Sequence, residues 1–266
     1  MPAMKSTVIS LESARIHAHC TGRAQQVVIE VVQQTGSTNT DMLARLASLT
    51  GPVLLVAEHQ TAGRGRAGRS WLSGAGATLT FSLAWPFSRT PQELLGLPLA
   101  AGVELAETLN ELQVPVQLKW PNDVLKNGQK LAGVLVETAT HGAHTWAVIG
   151  IGLNLTMPKE LEQRIGHAVA EATWLSQMDR NHLLANLLDH LVSALEQFEQ
   201  SGLAGFVERW NALHGWAGQR VNLVEQGRII RHGIATGINA QGCLMLQDEY
   251  GRLSPVMVGD VSLRTG

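Results

Sequence analysis

A short stretch of glycine and arginine combines residue types that bind anions. Residues 63–71 read Gly-Arg-Gly-Arg-Ala-Gly-Arg-Ser-Trp, and no Asp or Glu lies between Glu58 and Glu93. Arginine forks match the oxygens of phosphate and carboxylate groups, and glycine lets the backbone approach a ligand closely. In a chain whose net charge is -2, this local positive charge predicts an anionic ligand.

The same stretch fits the G-x-G-x-x-G fingerprint of dinucleotide-binding folds, but its surroundings do not. That fingerprint opens a helix, and an acidic residue that binds the ribose follows about 20 residues later. Here the residues after Gly68 continue as a loop, and no acid precedes Glu93. The sequence therefore predicts an anion-binding loop. A flexible loop with solvated arginines and a nucleic-acid contact are the alternatives.

Other polar segments could contribute to the same site. Residues 37–39 (Ser-Thr-Asn) precede a helical pattern, so they act as an N-cap or hydrogen-bond a small polar ring. Residues 119–123 (Lys-Trp-Pro-Asn-Asp) follow a strand and form a turn. Lys130 lies at the edge of an apolar strand, where it either reaches water or neutralises an anion in a pocket. Asn154 ends a further strand and offers an amide for a base edge.

Composition and missing motifs exclude several classes of protein. The two cysteines, Cys20 and Cys243, form neither a disulfide framework nor a zinc spacing, and the ten histidines show no metal-ligand spacing. The motifs of serine hydrolases, zincins, thioredoxin-type redox proteins and P-loop NTPases are missing from the sequence. Without a signal peptide or an apolar run of about 20 residues, a soluble cytoplasmic protein with no membrane partner is expected.

The apolar pattern predicts the elements that must position these residues. A first strand is expected around residues 26–32, and apolar runs predict strands at 53–58, 78–85, 116–120, 131–137 and 145–151. Helical spacing predicts helices over 39–49, 90–112, 181–200 and 203–213. The second of these is expected to begin at Thr90, because Thr90 and Glu93 form a capping box around a proline.

The pattern changes after Gly218, where short β-type runs alternate with turn signals. We therefore expect a catalytic domain over residues 1–218 and a small all-β domain over 219–266. So short a segment buries too little surface to be very stable alone, so it should pack on the main domain.

Five of these segments resemble, in order and spacing, the motifs of bacterial biotin protein ligases. They are residues 37–39, 57–71, 119–123, 130–137 and 150–154. Each motif is weak alone, but the ordered set is specific, and the resemblance covers about residues 30–266. It implies an α+β fold, in which helices pack on a mixed sheet like that of class II synthetases, followed by a small SH3-like β-barrel.

The resemblance also implies a reaction. The family activates biotin with ATP and Mg²⁺ to biotinyl-5′-AMP. It then passes the biotinyl group to one lysine of a biotin carboxyl carrier protein, typically that of acetyl-CoA carboxylase. The residues suit this chemistry, because lysine, arginine and Mg²⁺ offset the repulsion between a carboxylate and a triphosphate. A loop that closes over the mixed anhydride would protect it from water.

The resemblance assigns roles to individual residues. Those implied to bind biotin are Ser37, Thr38, Asn39, Gln60, Gly63, Arg64, Gly65, Arg66, Lys130, Gly133 and Gly152. Those implied to bind ATP are Arg66, Arg69, Trp71, Lys119, Asn122, Asn154 and Trp174, although Trp174 also fits a core position. Lys130, Arg64 and Arg66 are implied to be catalytic, Asp123 is a candidate base for the acceptor lysine, and the metal ligands are not identified.

Two features bear on partners. Some family members carry an N-terminal winged helix-turn-helix that needs about 60 residues, whereas 36 residues precede Ser37 here. We therefore expect the ligase-only form, with no DNA partner. Relatives often dimerise through the main sheet, and an exposed edge strand would permit a homodimer. A lipoate- or octanoate-transferring relative and a nucleic-acid-binding regulator are the competing hypotheses.

Overall fold

The computed structural model describes residues 9–225, 228–257 and 261–265. Its strands are β1 (Val28–Thr35), β2 (Val53–Gln60), β3 (Gly63–Arg64), β4 (Ser70–Trp71), β5 (Thr78–Phe87), β6 (Gln117–Lys119), β7 (Asp123–Lys126), β8 (Gln129–His141), β9 (His144–Asn154), β10 (Arg220–Glu225), β11 (Arg228–Ile238), β12 (Leu244–Gln247), β13 (Leu253–Val256) and β14 (Val261–Thr265). Its α-helices are α1 (Ser13–His19), α2 (Thr38–Arg45), α3 (Leu97–Glu111), α4 (Lys159–Ile165), α5 (Arg180–Ser201) and α6 (Val207–Ala212).

A seven-stranded mixed sheet forms the centre of the molecule. Its strand order is β1-β2-β5-β9-β8-β7-β6, in which β1 and β2 are parallel and the other neighbours are antiparallel. The central strands are apolar nearly throughout, as is typical of strands that are covered on both faces. The mixed sheet predicted from the sequence is confirmed.

Helices cover both faces of this sheet. Leu54 and Val56 of β2 belong to the large core beneath α1, α3 and α5. Val53 and Leu55 point the opposite way, into a smaller core with Met42 of α2. Successive residues of a strand face opposite sides of a sheet, so this alternation places α2 on the second face. The start of α2 thereby reaches the middle of β5 and β9.

The helix expected from residue 90 begins later than the capping box predicted. The Thr90 amide does hydrogen-bond to Glu93 Oε2 at 2.9 Å, but residues 91–96 form turns and α3 starts at Leu97. Pro98 explains the difference, because proline lacks an N–H and is tolerated only in the first helical turn. The expectation of a helix start at residue 90 is therefore wrong.

The other predicted elements differ mainly at their ends. The first strand lies at 28–35 instead of 26–32, and the helix predicted over 39–49 ends at Arg45 before a 3-10 turn. The predicted helix over 203–213 divides into a 3-10 turn at 202–206 and α6. The long helix predicted over 181–200 is confirmed as α5.

The N-terminal segment packs along α5 and is part of the core. Arg180 binds both carboxylate oxygens of Glu58 on β2, at 2.8 and 2.9 Å, and the Leu11 amide donates to the same carboxylate. Burial alone would raise the pKa of Glu58, but these hydrogen bonds outweigh it and the pKa lies below its ordinary value. The pair joins β2, α5 and the segment before α1.

The strands after residue 218 form a five-stranded antiparallel sheet in the order β13-β12-β11-β10-β14, as in a small SH3-like barrel. Trp120 ties this sheet to the main domain, because its buried indole donates from Nε1 to the Gly242 carbonyl at 3.0 Å. The boundary at residue 218 stays a prediction. No helix in the described part of the chain is long and apolar enough to cross a membrane.

Candidate active site

A cavity of about 690 Å³ lies where β8, β9, the hairpin of β3 and β4, and the start of α2 meet. It collects most of the residues that the sequence analysis had selected from distant segments. Those lining it are Ser37, Thr38, Asn39, Gln60, Arg64, Gly65, Arg66, Arg69, Trp71, Lys119, Asn122, Lys130, Gly133, Gly152 and Asn154. Gly63 and Trp174 are not among the lining residues.

The Ser-Thr-Asn segment is both a helix cap and a wall of the cavity. Ser37 is the N-cap of α2 and accepts a hydrogen bond from the Thr40 amide. Gln60 Oε1 accepts from the Thr38 amide at 2.7 Å, and the Ser82 hydroxyl donates to Asn39 Oδ1 at 2.6 Å. The three side chains of the segment are buried. The cavity therefore carries a set of hydroxyl and amide groups held in place by β2 and β5.

The glycine-arginine stretch forms a short hairpin. Gly63 pairs with Trp71 and Arg64 with Ser70, and the Gly65 amide donates to the Arg69 carbonyl at 2.7 Å. A 3-10 turn at residues 66–68 closes the hairpin, so no α-helix opens here. The sequence argument against a dinucleotide fold is confirmed. Gly63 serves the hairpin pairing, whereas Arg64, Gly65, Arg66 and Arg69 face the cavity.

Trp71 lies flat on β9 because residue 152 has no side chain. A Cβ atom at Gly152 would lie 2.3 Å from the indole ring, closer than real atoms approach. Lys130 Nζ lies 5.6 Å from the centre of the same ring, within the range of a cation–π contact. The indole thus forms a hydrophobic floor beside the lysine.

The Asp123 carboxylate separates two lysines on the cavity wall. Its Oδ1 lies 2.6 Å from Lys130 Nζ, and its Oδ2 lies 3.7 Å from Lys119 Nζ. Burial lowers the pKa of Lys119 below its ordinary value; Asp123 opposes this shift, and the positive charges of Lys130 and Arg69 add to it. Two lysines therefore flank one carboxylate and Arg69 adds positive charge near Lys119, so an incoming anion would relieve the repulsion between these cations.

Asn154 holds a backbone segment over the end of the sheet. Its Nδ2 donates to the Ala170 carbonyl at 3.1 Å, the Ala172 amide donates to the Asn154 carbonyl, and the Ala170 amide donates to the Lys130 carbonyl. The Asn154 side-chain amide, which was predicted to bind adenine, thus already donates one hydrogen bond to the protein backbone. Its role toward adenine stays a prediction.

Trp174 lies in the same segment but points outward. It is 59 % exposed, so the expectation of a core tryptophan is wrong. It is also missing from the described lining of the cavity, and its assignment to ATP stays a prediction. The exposure of the Trp174 side chain depends on the path that residues 155–175 take between β9 and α5. Local sequence patterns do not specify this path.

Sequence reasoning missed several residues at or beside the site. Ser82, Arg164, His167 and Trp216 were not selected, and Glu137 was noted only as part of a motif. Trp216 lines the cavity and receives Lys119 Nζ 5.0 Å from its ring centre. Arg164 and His167 reach the cavity from the segment around α4. These residues are isolated in the sequence and belong to no recognisable motif, so nothing in the sequence around them indicates that they face the cavity.

Comparisons with known proteins agree with this geometry. The model of the biotin/lipoate A/B protein ligase family matches residues 29–154, and that of the biotin protein ligase C terminal domain matches residues 217–264. The chain is 38% identical over 245 residues to the bifunctional ligase/repressor BirA of Escherichia coli, covering 89% of this chain and 74% of that one.

Two further similarities extend over most of the chain. The biotin–acetyl-CoA-carboxylase ligase of Mycobacterium tuberculosis is 39% identical over 247 residues, which is 88% of each chain. The solved structure of Aquifex aeolicus biotin protein ligase in complex with biotin and ATP superposes with a TM-score of 0.74 at 29% identity, covering 90% of this chain and 99% of that one.

Proposed function

The chain belongs to the biotin protein ligase family, and from this premise we propose that it activates biotin to biotinyl-5′-AMP and transfers the biotinyl group to a carrier lysine. The acceptor would be a biotin carboxyl carrier protein of acetyl-CoA carboxylase. The observation that carries the proposal is the convergence in one cavity of the Ser-Thr-Asn segment, the arginine hairpin and the Lys130–Asp123–Lys119 cluster.

In the first step, a biotin carboxylate oxygen attacks the α-phosphorus of ATP. A new P–O bond forms, the bond to the β-phosphate breaks, and pyrophosphate leaves. Lys130, Lys119 and Arg69 would offset the negative charge of the two reactants, and Asp123 holds the two lysines on the cavity wall. The attack needs neither a protein nucleophile nor a base, and the cavity would supply cations for this step.

In the second step, the carrier's lysine amine attacks the acyl carbon of the adenylate, and AMP leaves. The attacking nitrogen must lose a proton, which requires an acceptor near the acyl group. Asp123 is the one acidic residue among the described residues lining the cavity, and we assign it this role. Its pairing with Lys130 places it beside the side chain proposed to bind the biotin carboxylate.

The residue assignments follow the walls of the cavity. We assign the biotin ring to Ser37, Thr38 and Asn39 with Gln60, because these groups are short, polar and buried. The arginine hairpin and Lys130 would hold the carboxylate end of biotin and the α-phosphate. ATP would extend past Trp71 and Lys119 toward Asn122 and Asn154. Gly65 and Gly133 would allow close approach of the ligand to the backbone, whereas Gly152 makes room for the Trp71 indole.

Mg²⁺ fits this site as an ion held mainly by the substrate. No group of three or more His, Cys, Asp or Glu side chains suited to a metal occurs among the described residues. Magnesium is commonly bound by one or two carboxylates together with substrate phosphates and water. Mg²⁺ bound through the phosphate oxygens of ATP would neutralise triphosphate charge.

A transfer assay tests the proposal. The pure protein is incubated with ATP, Mg²⁺, biotin and a biotin carrier domain, and the carrier is probed with streptavidin. We expect a labelled carrier, and no label when its acceptor lysine is replaced by arginine. A parallel reaction with lipoate in place of biotin, followed by mass spectrometry of the carrier, should yield no product. An unlabelled carrier in the biotin reaction would refute the proposed function.

A further inference from the structure

We propose that Glu137 is a positioning residue of this site, which orients Asn39 and Arg64 without contacting biotin or ATP. The inference rests on the proposed biotin-binding function. Glu137 lies on β8, and it is not part of the described cavity lining, although both of its partners are. It would therefore act on the ligand only through these two side chains.

One carboxylate joins three separate elements. Glu137 Oε2 accepts from Asn39 Nδ2 at 3.0 Å and from Arg64 Nη1 at 3.1 Å, and Glu137 Oε1 accepts from Arg64 Nη2 at 2.9 Å. The two bonds to Arg64 form a bidentate fork, the strongest arrangement for this pair of groups. The start of α2 and the arginine hairpin are thereby fixed to the same point of β8.

The chemistry of Glu137 determines which way the Asn39 amide faces. A carboxylate only accepts hydrogen bonds, so the Asn39 NH₂ group must point toward Glu137. The Asn39 oxygen then points toward the Ser82 hydroxyl, which donates to it. Each end of the amide thus meets a group of the matching kind. The Leu135 carbonyl is a second, longer acceptor for Asn39 Nδ2 at 3.4 Å, so without Glu137 the amide would lose the closer of its two acceptors.

The same carboxylate holds the first arginine of the hairpin. The Arg64 side chain is 44% exposed, and its hydrogen bond to Thr40 Oγ1 is long at 3.4 Å. Glu137 is thus its main anchor. An amide in place of the carboxylate offers one acceptor and one donor, so it cannot receive the fork. The hairpin would then be free to move away from the cavity.

A second Glu–Arg fork provides a matched control. Glu30 on β1 binds Arg45 at the far end of α2, with distances of 3.1 and 2.5 Å. Neither residue is among the described lining of the cavity. The variants E30Q and E137Q therefore each break one Glu–Arg fork, the first to the end of α2 and the second to the β3–β4 hairpin, but only E137Q alters groups that face the cavity.

Two measurements on the full-length variants test the proposal. Steady-state pyrophosphate release gives the KM for biotin, and limited trypsin digestion with mass spectrometry gives the rate of cleavage after Arg64 and Arg66. We expect E137Q to raise the KM for biotin about tenfold and to speed cleavage by a similar factor. The variant E137D, which keeps the charge, should recover most of both effects, and E30Q should change neither.

The outcomes separate this inference from the proposed function. An E137Q variant with the biotin KM and cleavage rate of E30Q would overturn the positioning role even if the wild-type protein labels its carrier. If the wild-type protein releases no pyrophosphate with biotin, the proposed function fails. In that case trypsin digestion still tests whether Glu137 anchors Arg64. Faster cleavage of E137Q supports this anchoring, and unchanged cleavage overturns it. Should E137Q fail to fold, R64K replaces it in the digestion, because lysine keeps the charge but cannot form the fork; cleavage after residue 64 faster than in E30Q supports the pairing, and an equal rate overturns it.

Discussion

Lys130 and Asp123 form an ion pair on the cavity wall, with Nζ and Oδ1 2.6 Å apart. The lysine comes from β8 and the aspartate from the start of β7, so the pairing depends on the register of two antiparallel strands. The pair places a cation and a carboxylate within reach of one bound ligand. In the proposed mechanism these two groups serve different steps, which makes them separable by mutation.

Replacing Lys130 should stop the first half-reaction. The variant K130A removes the cation proposed to hold the biotin carboxylate and the α-phosphate, and we expect pyrophosphate release to fall about hundredfold or more. The fold should be kept, because Asp123 retains its pairing with Lys119. Lys159 is exposed and is not part of the described lining, so K159A is the control. Unchanged pyrophosphate release in K130A would refute the role of Lys130.

Replacing Asp123 should mainly slow the second half-reaction. In D123N the proposed proton acceptor is lost, and we expect transfer from preformed adenylate to the carrier to slow about hundredfold. Rapid mixing of the isolated enzyme–adenylate complex with carrier domain measures this step directly. Equal slowing of adenylate formation and transfer would instead assign Asp123 to holding the two lysines.

Adding a methyl group at Gly150 should weaken biotin binding. A Cβ at this position would lie 2.2 Å from Asn39 Oδ1, so the amide in G150A must move from its place against Ser82. We expect the biotin affinity measured by calorimetry to fall about tenfold or more. A Cβ at the control position Gly51 meets no atom within 4 Å, so G51A should bind biotin normally. Equal affinities of the two variants would contradict this account of Asn39.

Acid should destabilise the protein through His214. His214 is 5% exposed, and its ring centre lies 4.8 Å from that of Trp210 with the two rings tilted by 38°. Neither ring nitrogen has a hydrogen-bond partner in the described structure. Burial lowers the pKa of His214 from 6.5 to about 4. Below pH 6.5 the unfolded chain therefore binds a proton that the folded protein does not, and folding stability falls until about pH 4.

The variant H214F measures this contribution. Phenylalanine keeps the aromatic contact with Trp210 but cannot titrate, so the stability of the variant should fall less between pH 6.5 and pH 4. At each pH the free energy of unfolding of H214F is compared with that of the wild-type protein. We expect the difference between these two values to change by up to about 3 kcal/mol from pH 6.5 to pH 4. Denaturant unfolding curves at several pH values give the comparison. If the unfolding free energies of the two proteins fall in parallel with pH, the pKa of His214 is the same in the folded and unfolded states and the prediction is wrong.

Several properties could be predicted from the sequence because they depend on local chemistry. The glycine-arginine stretch was predicted to be a loop and not a dinucleotide-binding motif, because a helix start and a nearby acid are missing and both features are local; its binding of an anion stays a prediction. Alternating apolar residues predicted the strands, and helical spacing predicted α5 almost to its ends. The start of α3 was predicted wrongly because a capping box was weighed without Pro98. The exposure of Trp174 was missed because it depends on the path of residues 155–175, which show no regular apolar periodicity.

The sequence by itself determined the residue types of the site, the mixed character of the fold and, through the order of its motifs, the family resemblance. Only the tertiary structure decided which of those residues meet. Asp123 contacts two lysines through strand register, and Glu137 reaches across 98 and 73 positions of sequence to Asn39 and Arg64. The physical reason is that a contact between distant segments depends on sheet order and packing on both faces, which no local pattern of residues encodes.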